Sequence, residues 1–336
     1  MWFCSVCSKS MEPGKTDESV PSLQPGSAER EASRIICLVG ATGTGKTAAA
    51  LTLARHYPVT VINADSRQVY KDVPIITAQP DSGEQSQCPH RLYGFLEMRE
   101  TISAGRFMDE ARRELAACRE QGRLGVLVGG TGLYLRALGG GLADIPEVPG
   151  EIREEVLRRC AAQGSEILHA RLMEVDPEYA VKIHPRDRQR VCRALEVHQA
   201  SGRPLSWWHA HRRSTQGLDL FIVGLRLDRR ELHDRLAQRI GQMLELGAVR
   251  EIEQAWRICP DREAPGFSGI GCRELLDYCS GATTLDQARD LWLFRTRAYA
   301  KRQETWFNNI SEVQWVRAGD EQELLRCIAR QKLNLS

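Results

Sequence analysis

Residues 34–47 read RIICLVGATGTGKT, and this segment predicts the core architecture of the chain. Its apolar run, residues 35–39, is rich in β-branched side chains and too short for a helix, which indicates a buried parallel strand. Residues 40–47 match the pattern G-x-x-x-x-G-K-[ST] without a mismatch. An Ala- and Leu-rich segment, residues 48 to 56, predicts a helix directly afterwards. Strand, glycine turn and helix together predict a phosphate-binding loop.

Such a loop binds phosphate chiefly through its backbone. Glycines let N–H groups converge on an anion, and the N-terminus of the next helix adds partial positive charge. Lys46 would reach the terminal phosphates, and the Thr47 hydroxyl would hold Mg²⁺. A turn without a ligand would need neither side chain. The predicted diphosphate-binding residues are Gly40, Ala41, Thr42, Gly43, Thr44, Gly45, Lys46 and Thr47. The pattern does not distinguish ATP that is hydrolysed, ATP that donates a phosphoryl group, and another diphosphate.

Composition excludes several classes of protein. The net charge of the 336 residues is only +2, so any basic surface must be local. No apolar run approaches 18 residues and no secretion signal is visible, so we expect neither membrane insertion nor export. Eleven scattered Cys indicate reduced thiols in a cytoplasmic protein. The Cys4/Cys7 pair lacks a second pair for zinc. We expect a monomer.

The order of the predicted elements indicates an α/β fold. Strands are predicted at residues 59–64, 124–128 and 221–225, and helices at residues 105–121 and 230–246, the last capped by Asp228. Strands that alternate with helices favour a P-loop NTPase-like parallel sheet flanked by helices, with ligands at the carboxyl ends of the strands.

Four segments follow from these elements. Residues 1–33 are polar and rich in Ser, Pro and Gly, which predicts a disordered leader. Residues 34–143 form the first part of the core. Residues 144–214 contain helical patterns and no strand, which predicts an all-helical insertion domain. Residues 215–336 form the second part of the core, with C-terminal helices.

Asp65 is the carboxylate that the predicted sheet places near the phosphate loop. The strand at residues 124–128 ends in Gly-Gly-Thr and supplies no acid, whereas the strand at residues 59–64 is followed by Asp65. Three roles are open at this point. Asp65 could hold the metal of a kinase or ATPase, it could act on a nucleophile, or Asp65 and Ser66 could cap a helix.

A basic segment lies in the predicted helical insertion. Residues 182–213 contain eight Lys or Arg against two acids, with His184, His198 and the pair Trp207–Trp208 among them. Arg186, Arg190 and Arg193 would share one helix face. Such a face suits a nucleic-acid backbone with unstacked bases, and a solvated charged face is the alternative.

Seven ordered motifs carry a resemblance to a known family. They are GATGTGKT (40–47), DSRQVY (65–70), PHRL (89–92), LVGGTGLYLRAL (127–138), DRQRVCRALEV (187–197), SGIGCREL (268–275) and FRTRAYAKRQETWF (294–307). In this order they resemble the tRNA dimethylallyltransferases, also called tRNA isopentenyltransferases, of the bacterial type without a C-terminal zinc finger. The resemblance covers residues 34–315.

The resemblance implies transfer of the allyl group of dimethylallyl diphosphate to N6 of the adenine at tRNA position 37. Asp65 would be the general base, and Lys46 with Mg²⁺ on Thr47 would stabilise the leaving diphosphate. Apart from the resemblance, Arg235 and Arg239 are candidates for diphosphate contacts only because they lie one turn apart on the helix after the returning strand. The residues expected to contact the anticodon stem-loop are Asp65, Ser66, Arg67, Gln68, Thr131, Arg153, Gln189, Arg190, Val191, Cys192 and Arg193.

Four positions depart from the family pattern, at Gln79, Arg91, Cys272 and Asn308. None belongs to the phosphate loop, so they bear on fine binding rather than on the reaction class. Two other functions compete. A P-loop kinase or an enzyme that prenylates free AMP would have no use for a basic helical insertion. A non-catalytic RNA-binding NTPase would hydrolyse ATP and transfer no allyl group.

Overall fold

The structure is a computed structural model that describes residues 34–143, 145–211 and 217–331. The predicted leader and the Cys4/Cys7 pair lie outside these residues. In the described part, six strands form one sheet in which every pairing is parallel, in the order β3-β2-β4-β1-β5-β6. The strands are β1 (Ile35–Gly40), β2 (Val59–Asn63), β3 (His90–Arg91), β4 (Leu124–Val128), β5 (Leu220–Arg226) and β6 (Gln314–Arg317).

Helices cover the sheet and continue beyond it. They are α1 (Lys46–Ala54), α2 (Pro74–Thr77), α3 (Ser82–Gln87), α4 (Ala104–Glu120), α5 (Gly132–Gly140), α6 (Gly150–Gln163), α7 (Ser165–Val175), α8 (Pro177–Ala180), α9 (Arg188–Ser201), α10 (Leu205–Ala210), α11 (Arg229–Glu245), α12 (Ala248–Ile258), α13 (Cys272–Cys279), α14 (Leu285–Asn308) and α15 (Glu321–Ala329). A 3₁₀ helix spans Pro265–Ser268.

Strand β1 is the centre of the sheet. All six of its residues are buried, as expected for a parallel strand covered by helices on both faces. Leu38 is in register with Val128 of β4, and Asn63 of β2 is in register with the same residue. The phosphate loop, Asp65 and the GGTG turn therefore all leave the sheet at one edge.

Helices α6 to α10 follow one another between α5 and β5 without an intervening strand in the described residues. They enclose their own apolar core, in which Val156, Leu172, Val191 and Val197 are at most 1% exposed. The chain then returns to the sheet, because β5 pairs with β1 from Ile35 to Gly40.

Most of the elements predicted from the periodicity are present. The predicted strands correspond to β1, β2, β4 and β5, and Asp228 caps α11 by accepting a hydrogen bond from the Arg230 amide. Strands β3 and β6 were not predicted, because they have two and four residues and mixed polarity. The helix-cap alternative for Asp65 is wrong, since an irregular turn follows β2 and the next helix begins at Pro74.

Two glycine substitutions test this packing in opposite directions. A Cβ at Gly129 would lie 2.2 Å from the carbonyl carbon of Ala64, a backbone atom with little freedom to move. We expect Gly129→Ala to lower the free energy of unfolding by about 1–3 kcal/mol. In Gly241→Ala, inside α11, the new methyl meets nothing within 4 Å. It should raise stability by about 0.5–1 kcal/mol. Urea unfolding midpoints measure both, and equal midpoints would contradict the packing described.

Candidate active site

The phosphate loop takes its shape from its glycines. Gly43 and Gly45 have φ values of 87° and 81°, in the left-handed region that favours glycine. A Cβ at Gly43 would also lie 2.7 Å from Cδ2 of Leu236 on α11. The Thr44 hydroxyl closes the turn by donating to the Ala41 carbonyl at 2.9 Å. Helix α1 begins at Lys46, so its free N–H groups face the loop.

Lys46 lies folded over the loop. Its ammonium donates to the carbonyls of Gly40 and Ala41, at 3.1 and 3.0 Å. Burial lowers the pKa of Lys46 to about 8, with Asp65 opposing that shift and Arg239 adding to it. The lysine is therefore a poorly hydrated cation with both a carboxylate and a guanidinium nearby, which favours a polyanionic ligand.

Two arginines of α11 approach the same loop. The Nη1 atom of Arg239 lies 3.5 Å from the hydroxyl oxygen of Thr42. Arg235 pairs with Glu231 at 2.9 Å, and its Nη1 atom would lie 4.0 Å from a Cβ at Gly45. Burial lowers the pKa of Arg239, and the charge of Asp65 opposes this. The structure thus brings Lys46, Arg235 and Arg239 to one loop, a concentration of positive charge.

Gln303 connects the phosphate loop to the turn after β4 by hydrogen bonds. Its Oε1 accepts a hydrogen bond from the Thr42 amide at 2.9 Å, and its Nε2 donates to the Gly130 carbonyl at 3.0 Å. The side chain is 5% exposed. The sequence predicts no role for Gln303, although the residue lies in the AKRQETW segment. A glutamine inside a helix gives no signal that both ends of its amide are used.

Asp65 lies two residues beyond the end of β2 and is held by its neighbours. Its amide donates to the side chain of Asn63 at 2.8 Å, and its Oδ1 accepts from the Arg67 amide at 2.9 Å. Tyr134 is buried and Tyr93 and Tyr299 are half-buried, and loss of hydration followed by the charge of Asp65 raises the pKa of each phenol. The carboxylate therefore stands among neutral, proton-bearing rings.

A cavity of about 280 Å³ lies beside Asp65 and extends to Thr42 of the phosphate loop and Arg239 of α11. Its polar lining includes Asp65, Thr42, Arg67, Arg239, Tyr299 and Arg302. Its apolar lining includes Ile76, Ala78, Leu236, Ile240, Met243, Ile270 and Trp292. A ligand with a charged end and a short apolar end suits such a lining. The apolar residues were not predicted, because hydrophobic side chains in helices read as ordinary core.

The other residues near Asp65 that are predicted to contact tRNA already make hydrogen bonds within the protein. Arg67 hydrogen-bonds through Nη1 to the Ser268 hydroxyl. The Gln68 amide donates to the carbonyls of Thr77 and Ala78, at 3.2 and 2.5 Å. The hydroxyl of Thr131 accepts from the Ser66 amide at 3.0 Å and so links the turns after β2 and β4.

Helix α9 presents part of its predicted RNA-binding segment to solvent. Gln189, Arg190 and Arg193 are exposed, and the two arginines have acidic neighbours, Asp187 at 3.3 Å and Glu196 at 3.5 Å. The side chains of Val191 and Cys192 are buried in the core of the helical block, at 0% and 2% exposure. Both side chains therefore pack within the protein, and a contact of this segment with tRNA stays a prediction.

Arg153, another predicted contact, is exposed on α6, which packs against α9.

The four departures from the family pattern are each accommodated. Gln79 donates to the Tyr70 carbonyl at 2.7 Å, and Arg91 pairs with Glu114 at 3.6 Å. Cys272 is fully buried. Asn308 accepts a hydrogen bond from Arg226 at 2.7 Å.

The donor set for a metal is sparse. Among the described residues, no group of three or more His, Cys, Asp or Glu side chains could hold an ion. Thr47, in the first turn of α1, offers one hydroxyl beside the loop. A cation that keeps several waters and takes its remaining oxygens from a ligand, as Mg²⁺ does with phosphates, fits this set.

Comparison with known proteins decides the family. Residues 68–310 match the family model described as IPP transferase. The tRNA dimethylallyltransferase of Maridesulfovibrio salexigens is 50% identical over 281 residues, which is 84% of this chain and 92% of the relative. The chain belongs to the tRNA dimethylallyltransferase family. It is therefore a prenyltransferase.

Solved structures of the family share the fold. The full-length tRNA isopentenylpyrophosphate transferase of Bacillus halodurans is 32% identical, with a TM-score of 0.64 over 89% of this chain and 96% of that chain. A eukaryotic dimethylallyltransferase acting on tRNA is 28% identical, with a TM-score of 0.75, and the match covers 89% of this chain and 77% of that chain. No helix in the described ranges combines the length and the apolar character needed to cross a bilayer.

Proposed function

We propose that this enzyme transfers the dimethylallyl group from dimethylallyl diphosphate to N6 of the adenine at position 37 of tRNA and releases diphosphate. One observation carries the proposal. Asp65 borders a cavity whose lining contains both charged side chains, Arg239 among them, and apolar side chains, and Lys46 lies within electrostatic reach of Asp65. A prenyl diphosphate combines these two characters, because its short aliphatic chain is joined directly to the diphosphate.

The proposed chemistry follows from the two reactants. The exocyclic amine of adenine is a weak nucleophile, because its lone pair is delocalised into the ring. As the bond from N6 to the allyl carbon forms and the bond from that carbon to diphosphate oxygen breaks, the amine loses a proton. Asp65 accepts this proton as the general base. Backbone amides of the loop, Lys46, Arg235 and Arg239 stabilise the charge that grows on the diphosphate.

The proposed cofactor is Mg²⁺, which the Thr47 hydroxyl and oxygens of the diphosphate would hold. When bound, the ion would neutralise charge on the leaving group. It needs no carboxylate cage, which agrees with the sparse donor set around the loop. Asp65 is then left free to act on the amine rather than on a metal.

We further propose that the anticodon stem-loop lies along the helical block, residues 144–214. Gln189, Arg190 and Arg193 of α9 and Arg153 of α6 would contact its backbone. Ser66, Arg67, Gln68 and Thr131 would surround the target nucleotide beside Asp65. The amine can reach a carboxylate in the cavity only if the adenine turns out of its stack.

Three assays separate this function from its competitors. They measure allyl transfer to tRNA, allyl transfer to AMP, and phosphate release from ATP, each with Mg²⁺ present. We expect transfer to tRNA alone. Transfer to AMP would indicate a free-nucleotide prenyltransferase, and phosphate release without transfer would indicate an RNA-binding NTPase.

Replacement of Asp65 tests the general base. Asp65→Ala should retain tRNA binding and lose transfer by about 10²–10⁴-fold, because no other carboxylate of the described residues lines the cavity. Single-turnover transfer and tRNA binding are measured on the same preparation. Asp109→Ala, which removes an exposed carboxylate of α4, is the control and should transfer normally. Near-normal transfer by Asp65→Ala would show that another group takes the proton.

The pKa of Lys46 predicts how donor affinity depends on pH. Since this pKa is lowered to about 8, the free enzyme loses the charge as pH rises through 8, well below the ordinary range of lysine. The affinity for dimethylallyl diphosphate should therefore fall about tenfold between pH 7 and pH 9. Calorimetric titration measures it. Lys46→Met should bind dimethylallyl diphosphate weakly at both pH values. A wild-type affinity that stays constant to pH 9 would refute the role of the Lys46 charge in binding the diphosphate.

The exposed arginines of α9 predict a salt dependence. Arg190→Ala and Arg193→Ala should each weaken tRNA binding and reduce the slope of log K against log salt by about one unit per lost phosphate contact. Arg257→Ala on α12 removes the same charge elsewhere and is the control. An unchanged slope would assign Arg190 and Arg193 to an ordinary solvated face.

A further inference from the structure

Helix α2 forms part of the cavity wall but cannot hold its own position. It has only four residues, and Ile76, Thr77 and the following residue Ala78 line the cavity. An isolated turn of helix is unstable in water. The residue before the helix, Val73, provides no side-chain cap, so the first backbone N–H groups need an outside partner.

Glu251 of α12, which is 175 positions after Ile76 in the chain, is that partner. Its Oε1 accepts from the Ile75 amide at 2.7 Å, and its Oε2 accepts from the Ile76 amide at 2.9 Å. The residue is 7% exposed. A buried carboxylate is costly unless it is hydrogen-bonded, and here both oxygens are used on one short helix.

The other end of α2 is also tied to a side chain. Gln68 donates to the carbonyls of Thr77 and Ala78. Ala78 has a φ of 54°, in the left-handed region, which costs a non-glycine residue about 1–2 kcal/mol. The two ties fix a short and locally strained segment, and its side chains Ile76 and Ala78 join Leu236 and Ile240 of α11 in the apolar lining.

We propose that Glu251 is a positioning residue for the prenyl donor. By anchoring α2, it sets the apolar wall that receives the allyl group, although its carboxylate contacts two backbone amides rather than the substrate. This inference rests on the proposed function, because it takes dimethylallyl diphosphate as the ligand of the cavity. A residue that only stabilised the fold would affect both substrates alike.

The test compares Glu251→Gln with Glu253→Gln, an exposed glutamate two residues further along α12. In Glu251→Gln the new side-chain amide would present one N–H group to a backbone N–H and so lose one of the two hydrogen bonds. We expect the KM for dimethylallyl diphosphate to rise about tenfold, with the KM for tRNA unchanged. Hydrogen exchange at the Ile75 and Ile76 amides should also become faster. The Glu253→Gln control should change neither the KM for dimethylallyl diphosphate nor the exchange rate of these amides.

Two results would overturn the inference. One is an unchanged KM for the donor in folded Glu251→Gln, and the other is an equal rise in both KM values. If Glu251→Gln does not fold, Glu251→Asp, which keeps the charge but shortens its reach, is judged by the same criteria. Absence of transfer by the wild-type enzyme would refute the proposed function instead, and hydrogen exchange would still decide whether Glu251 anchors α2.

Discussion

The parallel register of β2, β4 and β1 places three loops at one height, and the candidate site depends on this register. Leu38 and Asn63 are both level with Val128. The residues two positions further along the three strands are Gly40, Asp65 and Gly130. Gly40 begins the phosphate loop, Asp65 carries the carboxylate, and the Gly130 carbonyl accepts a hydrogen bond from Gln303. A shift of one residue in any strand would separate the carboxylate from the cations, since successive positions alternate between the faces of a sheet.

Hydrogen bonds from distant segments hold these loops once the sheet has aligned them. Gln303 joins the phosphate loop to the turn after β4, and Thr131 joins that turn to the backbone after Asp65. Glu251 does the same for the cavity wall at α2. Each bond lies at a buried or half-buried position, where an unpaired donor would be expensive. The edge is therefore preorganised to face charge, which is the condition for electrostatic catalysis.

The sequence predicts the parts of this protein that follow from local rules. The phosphate loop, the strand–helix alternation and the helix cap at Asp228 each depend on a few neighbouring residues, and the structure contains them. Arg235 and Arg239 were proposed from their spacing alone, and both lie against the loop. Other features depend on tertiary contacts. The roles of Gln303 and Glu251, the burial of Val191 and Cys192, and strand β3 are decided by segments far away in the chain.

In the proposed reaction the loop holds a departing diphosphate while Asp65 takes a proton from an RNA amine. A crystal structure with an anticodon stem-loop and a non-reactive thio-analogue of dimethylallyl diphosphate tests it most directly. We expect diphosphate oxygens on the amides of residues 40–47 and adenine N6 within hydrogen-bond distance of the Asp65 carboxylate. Asp65 bound to the metal, with the adenine outside the cavity, would contradict it.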